Sequence, residues 1–130
     1  EGRASQVFAV TAMMPAVGQG ALGVEVREDD RETLEAVRAI DDERARAAVE
    51  AERAFLDTLG AGCRMPVGAH ATVEGGTLRL AAMIGAGERL LRDETAGAAA
   101  DAQALGRALG ERMLPEADAG AARQADGGGA

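Results

Sequence analysis

A chain of 130 residues with two phenylalanines and neither tryptophan nor tyrosine cannot fill its interior with large flat side chains. Its core has to come from Ala, Val, Leu, Ile and Met, which bury little area per residue, so stability draws on packing against further structure. With 47% apolar residues there is material for one modest domain and an appendage, and not for two full cores. The chain opens on Glu1 rather than Met, with no charged and apolar leader pattern behind it, which reads as a portion of a longer polypeptide.

Charge narrows the function classes. The net charge is −8, and all fourteen cations are arginine. Nucleic acid and anionic membrane surfaces attract a basic face, so neither is an expected partner. A single cysteine excludes an internal disulfide and fits a reducing cytoplasm. No window of about eighteen apolar residues occurs, so no transmembrane helix is expected.

Along the chain, residues 1–14 carry an apolar run, Val7-Phe8-Ala9-Val10, that ends at Met13-Met14 before Pro15. In residues 21–26, Leu22, Val24 and Val26 alternate with Gly23, Glu25 and Arg27, the period of a strand. Asp29-Asp30 offers an N-cap to a helix over 31–40, where Leu34, Val37 and Ile40 recur at helical spacing. Asp41-Asp42 opens a longer helix with Ala45, Ala48, Val49, Glu52, Phe55, Leu56 and Leu59 on one face, closed by Gly60. Three strands follow. Val67, Ala69, Ala71 and Val73 share a face of the first, with His70 and Thr72 opposite; Glu74-Gly75-Gly76 forms a hairpin turn. Leu78, Leu80, Ala82 and Ile84 share a face of the second, and Gly85-Ala86-Gly87 leads to a third over 88–95. A last helix over 99–114 carries Ala102, Leu105, Leu109 and Met113 and is expected to stop at Pro115. Residues 116–130 hold no large apolar side chain and are expected to be a disordered tail. The pattern predicts an α+β fold: a three-stranded antiparallel sheet with helices on one face.

The residues that carry chemistry cluster in two glycine-rich stretches. In Gly60-Ala61-Gly62-Cys63-Arg64-Met65-Pro66-Val67-Gly68 the thiol lies on a turn beside a cation that favours the thiolate. Such a turn suits covalent attachment to a carbon electrophile; a small buried hydrophobe is the alternative role for a free cysteine. Gly18-Gln19-Gly20-Ala21-Leu22-Gly23 matches GxGxxG in form only. A dinucleotide fold needs a strand before the glycines and a helix after them, and here Pro15 precedes and an alternating strand follows. The stretch reads instead as a flexible hinge, with Gln19 either touching a ligand or bonding its own loop. Glu52 lies on the apolar face of its helix, as a candidate acid or, more in keeping with such positions, a carboxylate paired with an arginine or a backbone donor. His70 has no neighbours at metal-ligand spacing, and no metal site is expected. Arg38, Arg44, Arg46 and Arg53 alternate with acids at helical spacing, the pattern of a solvated face.

The cysteine stretch, with Pro15-Ala16-Val17-Gly18-Gln19-Gly20-Ala21-Leu22-Gly23-Val24-Glu25-Val26-Arg27 and Ala51-Glu52-Arg53-Ala54-Phe55-Leu56, closely resembles the C-terminal part of the hydroxymethylbilane synthase, or porphobilinogen deaminase, family. The resemblance covers about residues 15–114. Two departures are small: Ala61 stands where a glycine is usual, and Arg64-Met65 falls where the family varies.

The resemblance implies a transferase that joins four porphobilinogen units into hydroxymethylbilane on a dipyrromethane cofactor. It implies Cys63 as the thioether anchor of that cofactor, with Gly62 and Gln19 beside it. It also implies that the catalytic aspartate and the substrate-binding arginines lie upstream, so no catalytic residue is expected in this chain, which by itself would be inactive. Residues 1–20 would be the end of a second domain and a hinge. Residues 21–40 would be a strand and helix returning to a first domain, and residues 41–115 the cofactor-attachment domain. The complete enzyme would be a cytoplasmic monomer. The alternative is a non-catalytic α+β interaction module in which Cys63 stays a free thiol.

Overall fold

A computed structural model describes residues 5–60 and 65–127. Two helices come first, α1 (Arg31–Arg38) and α2 (Glu43–Thr58), then strands β1 (Val67–Glu74), β2 (Thr77–Ala86) and β3 (Arg89–Ala98). A turn of 3-10 helix, Ala99–Asp101, leads into α3 (Ala102–Gly127). The strands form one antiparallel sheet in the order β1-β2-β3. The expected α+β class, with α2 and α3 covering one face of the sheet, is what the structure shows.

Helices α1 and α2 begin where their sequence says they should. The Asp42 carboxylate accepts hydrogen bonds from the amides of Arg44 and Ala45 at 2.9 and 3.0 Å, meeting two of the orphan donors of α2. Asp30 caps α1 in the same way through the amide and hydroxyl of Thr33. On β1 and β2 the register pairs Ala71 with Leu80 and Glu74 with Thr77, leaving Gly75 and Gly76 as the turn. Both have positive φ, 54° and 78°, as a two-residue primed turn requires.

The core lies between the helices and β2. Leu78, Leu80, Ile84, Phe55 and Leu109 are its largest fully buried side chains. Each contributes roughly 1.5–3 kcal/mol against exposure. Where aromatic bulk is missing, proximity replaces it. Ala51 and Ala54 on α2 meet Gly106 on α3 so closely that a Cβ at position 106 would overlap the Ala51 carbonyl. At its far side α3 is tied to β3 by Arg112, whose Nε donates to Asp93 at 2.9 Å and whose Nη2 donates to the Glu94 carbonyl at 3.2 Å.

Several sequence expectations change; the third strand runs from Arg89 to Ala98 rather than over 88–95, and the last α-helix opens at Ala102 after a 3-10 turn rather than at 99. The alternating residues 21–26 run without a strand partner, and Leu22 and Val24 stay 96% and 57% exposed, because a strand is defined by a neighbour that none of the described segments supplies. Helix α1 stops at Arg38, short of Ile40, which is exposed. On α2, Ala45 and Leu56 fall outside the buried stripe, while Ala51 and Ala54, not anticipated, fall inside it. Helix α3 does not stop at Pro115, and the expected tail is helical as far as Gly127. Pro115 and Glu111 both lie on the exposed side, so the carbonyl left without its usual donor faces water. Beyond Pro115, Ala117 is fully buried and joins the core.

Two outcomes follow for stability. Gly106→Ala forces α3 off α2 and lowers the urea unfolding midpoint, by about 1–3 kcal/mol in stability, whereas Gln103→Ala, at an exposed position of the same helix, has no comparable effect. The Ala45 and Arg44 amides, in that order, hold the Asp42 carboxyl below its ordinary value of 3.8. A lowered folded value means stabilisation present in full above the unfolded pKa and lost as pH falls through the folded one. The advantage of the natural chain over Asp42→Asn in thermal midpoint should therefore be largest near neutral pH and close below about pH 4.

Candidate functional site

The turn at residues 15–20 and the described flanks of the cysteine loop are joined through α2 and β1. Helix α2 enters the cysteine loop through Leu59, which is buried, and Gly60, whose φ is 83°. Ala61, Gly62, Cys63 and Arg64 lie outside the described residues. Beyond them Met65 packs against the core, and the Pro66 carbonyl accepts a hydrogen bond from the Gly85 amide at 2.8 Å. The loop is thus tied down at both ends, to α2 on one side and to the β1–β2 pair on the other.

The turn at residues 15–20 sits against the β1 edge. Strand β1 is an edge strand, and alternate amides on its open side have no partner in β2. The Ala69 amide donates to the Pro15 carbonyl at 3.1 Å. The next such amide, Ala71, donates to Glu52 Oε1 at 2.8 Å, while Glu52 Oε2 accepts from the Gly18 amide at 2.7 Å. Glu52 is 6% exposed, and both of its oxygens are satisfied by backbone. Of the roles open to it from sequence, pairing with backbone donors is the one present. No arginine among the described residues lies within ion-pair distance of it.

Gln19 turns inward on its own loop. Its Oε1 accepts from the Ala16 amide at 2.9 Å, and its own amide donates to the Ala16 carbonyl at 3.0 Å. Its side-chain NH2 donates to no acceptor among the described residues. No helix follows the glycines, so no phosphate cradle is formed there. His70 is half-buried on the sheet face away from the helices. Among the described residues no group of three or more His, Cys, Asp or Glu could hold a metal.

Sequence reasoning missed the backbone partners. Pro15, Ala69 and Ala71 contribute a carbonyl and two amides, groups that nearly every residue type offers alike. Glu52 was the available signal: an acid among alanines on a buried face must find donors somewhere. A cavity of about 400 Å³ also opens between α2 and α3, lined by Glu50, Arg53, Asp57, Thr58, Gln103 and Arg107. Its charges are mixed, and its side chains are mostly exposed.

Comparison with known proteins places both stretches in one family. The sequence model for "Porphobilinogen deaminase, C-terminal domain" matches residues 46–115, which include the cysteine loop. The model for "Porphobilinogen deaminase, dipyromethane cofactor binding domain" matches residues 1–35, which include the 15–20 turn. The chain belongs to the porphobilinogen deaminase family. It is 47% identical to the porphobilinogen deaminase of Roseiflexus sp. (strain RS-1) over 110 residues, 84% of this chain and 36% of that one. With that of Roseiflexus castenholzii it shares 52% identity over 98 residues, 75% of this chain and 32% of the relative. With that of Pelotomaculum thermopropionicum it shares 49% over 107 residues, 81% and 34% of the two chains. The chain therefore spans about a third of the length of the curated relatives it matches.

The loop geometry makes one local test available. Gln19→Ala frees the Ala16 amide, so hydrogen exchange there should rise while overall stability moves by no more than about 0.5 kcal/mol. An unchanged Ala16 amide would show that the carboxamide is not held on its own loop.

Proposed function

We propose that this chain is the cofactor-bearing C-terminal portion of a hydroxymethylbilane synthase, with the dipyrromethane joined to Cys63 through a thioether. The observation that carries this reading is the meeting of the two family-matched stretches, the 15–20 turn with Glu52 of α2 and with Ala69 of β1, the elements that flank the cysteine loop. Residues 59–60 and 65–66 fix that loop, and the 15–20 turn is bonded beside it.

The surroundings suit a bulky chain of pyrroles. A Cβ built on Gly18, Gly20 or Gly60 would meet no described atom within 4 Å, which leaves room beside these glycines among the described residues. A thiol beside Arg64 has the chemistry of a thioether anchor, since the guanidinium favours the nucleophilic thiolate. Gly62 lets the backbone come close to the bound group, and the free NH2 of Gln19 can donate to one of its carboxylates. When bound, the dipyrromethane would supply the free pyrrole carbon to which the first unit is joined, each later unit joining the ring added before it. The role of this chain is to hold that group by one bond on a loop fixed at its base.

In this reading porphobilinogen is the substrate and hydroxymethylbilane the product. The acid that helps expel ammonia and the arginines that hold acetate and propionate belong to structure outside this chain. Residues 1–20 form the end of a second domain and a hinge, 21–40 a strand and helix of the first domain, and 41–115 the attachment domain. The unpaired alternating stretch at 21–26 supports that division, because its exposed Leu22 and Val24 await a sheet. Charge supports it too: a surface with net charge −8 is a poor holder of a polycarboxylate on its own, and a poor ligand for nucleic acid or an anionic membrane. No helix among the described residues is long and apolar enough to cross a membrane. We place the complete enzyme in the cytoplasm as a monomer.

The test is the denatured intact mass of the natural protein, purified from its source and mapped by peptides. A dipyrrole-sized increment on the Cys63 peptide, lost together with turnover in Cys63→Ser, is the expected result. An unmodified thiol and a harmless Cys63→Ser would overturn it in favour of an interaction module.

A further inference from the structure

We propose that Glu52 is a positioning residue for the reaction: it locks the 15–20 turn to the two elements that carry the cysteine loop, and so fixes where the loop's cargo stands relative to structure reached through that turn. This inference rests on the reading of Cys63 given above.

The geometry joins three segments at one carboxylate. Glu52 belongs to α2, which leads into the loop; Ala71 belongs to β1, which leads out of it; Gly18 belongs to the turn. The amides of Ala71 and Gly18 lie 2.8 and 2.7 Å from separate oxygens of the same side chain. A carboxylate offers an acceptor on each of its two arms. Glutamine has one acceptor, and its NH2 would confront the other N–H, donor against donor. A carboxylate 6% exposed is a costly way to satisfy two amides if the fold alone is at stake. Its bonds are, in exchange, short and directional.

Val17 also anchors the turn, by packing against the core. The turn's other direct backbone bond to the sheet is the one from the Ala69 amide to the Pro15 carbonyl. Beyond the turn, residues 22–26 make no backbone bond to another described segment. The described residues before α1 are thus joined to the sheet through this turn and through the bond from Arg92 Nη1 to the Thr11 carbonyl, and Glu52 fixes the place of the turn. Loss of the carboxylate leaves the thiol and the helical core in place but lets the turn drift. A misplacement of about 1 Å between reacting groups costs on the order of 10²-fold in rate.

The experiment uses the natural-length protein carrying Glu52→Gln, with Glu52→Asp beside it. Intact mass reads the load on Cys63, amide exchange reads Gly18, Ala71 and the β2 strand, and porphobilinogen turnover gives kcat and KM. For Glu52→Gln the load should match the natural protein, and exchange at Gly18 or Ala71 should rise at least about tenfold while β2 amides hold. Turnover kcat should fall at least about tenfold with KM within about twofold. Glu52→Asp keeps the charge but is one methylene short of spanning both amides, so it should loosen one amide only and recover part of kcat. It also serves if the glutamine variant fails to fold. Unchanged exchange at both amides would overturn the lock, and faster exchange with unchanged kcat would reduce Glu52 to a structural residue. A natural protein with a bare Cys63 would sink the functional reading instead, a result that the mass alone reports.

Discussion

The contact of the Ala51 carbonyl with Gly106 is the constraint on which the rest of this structure depends. A core that buries one phenylalanine, Phe55, among the described residues must gain its dispersion energy by bringing backbones together, since each atom pair contributes little and the attraction fades quickly with distance. With α3 against α2, both helices can lie flat on the single apolar face of β2. That arrangement fixes the roll of α2, and the roll decides that Glu52 points at the β1 edge while Glu50 and Arg53 point toward the outer cavity. The packing of small residues and the placement of the buried acid are thus one fact seen from two sides of a helix.

The sheet contributes through what it leaves open. Three strands in sequential order give two edges, and β1 presents its edge to the 15–20 turn. Edge amides are costly to leave unmet when partly buried, and here a carbonyl and a carboxylate meet alternate ones. The turn is held by the incompleteness of the sheet. A fourth strand at that position would have displaced both the turn and the acid that grips it.

Much of this was legible in the residues. Asp42 and Gly60 bracket α2 because capping chemistry is local, and Gly75 with Gly76 mark the hairpin because few other residues adopt positive φ. Leu78, Leu80, Ala82 and Ile84 announce a buried face by strict alternation, and each is buried. Where tertiary context decides, the reading stops. Pro115 is a local signal to end a helix, overruled by the burial of Ala117 one half-turn on. The alternation at 21–26 records a strand's composition correctly but cannot create the neighbour that makes it one. In the site, the cysteine loop stood out by its motif, and Glu52 by its company of alanines. Its partners did not, because backbone amides carry no letter of the sequence.

The bare stretch around Leu22 and Val24 has a consequence beyond the fold itself. Extended, apolar on one side and with its peptide groups unclaimed, it is the kind of segment that a second polypeptide joins by adding a strand.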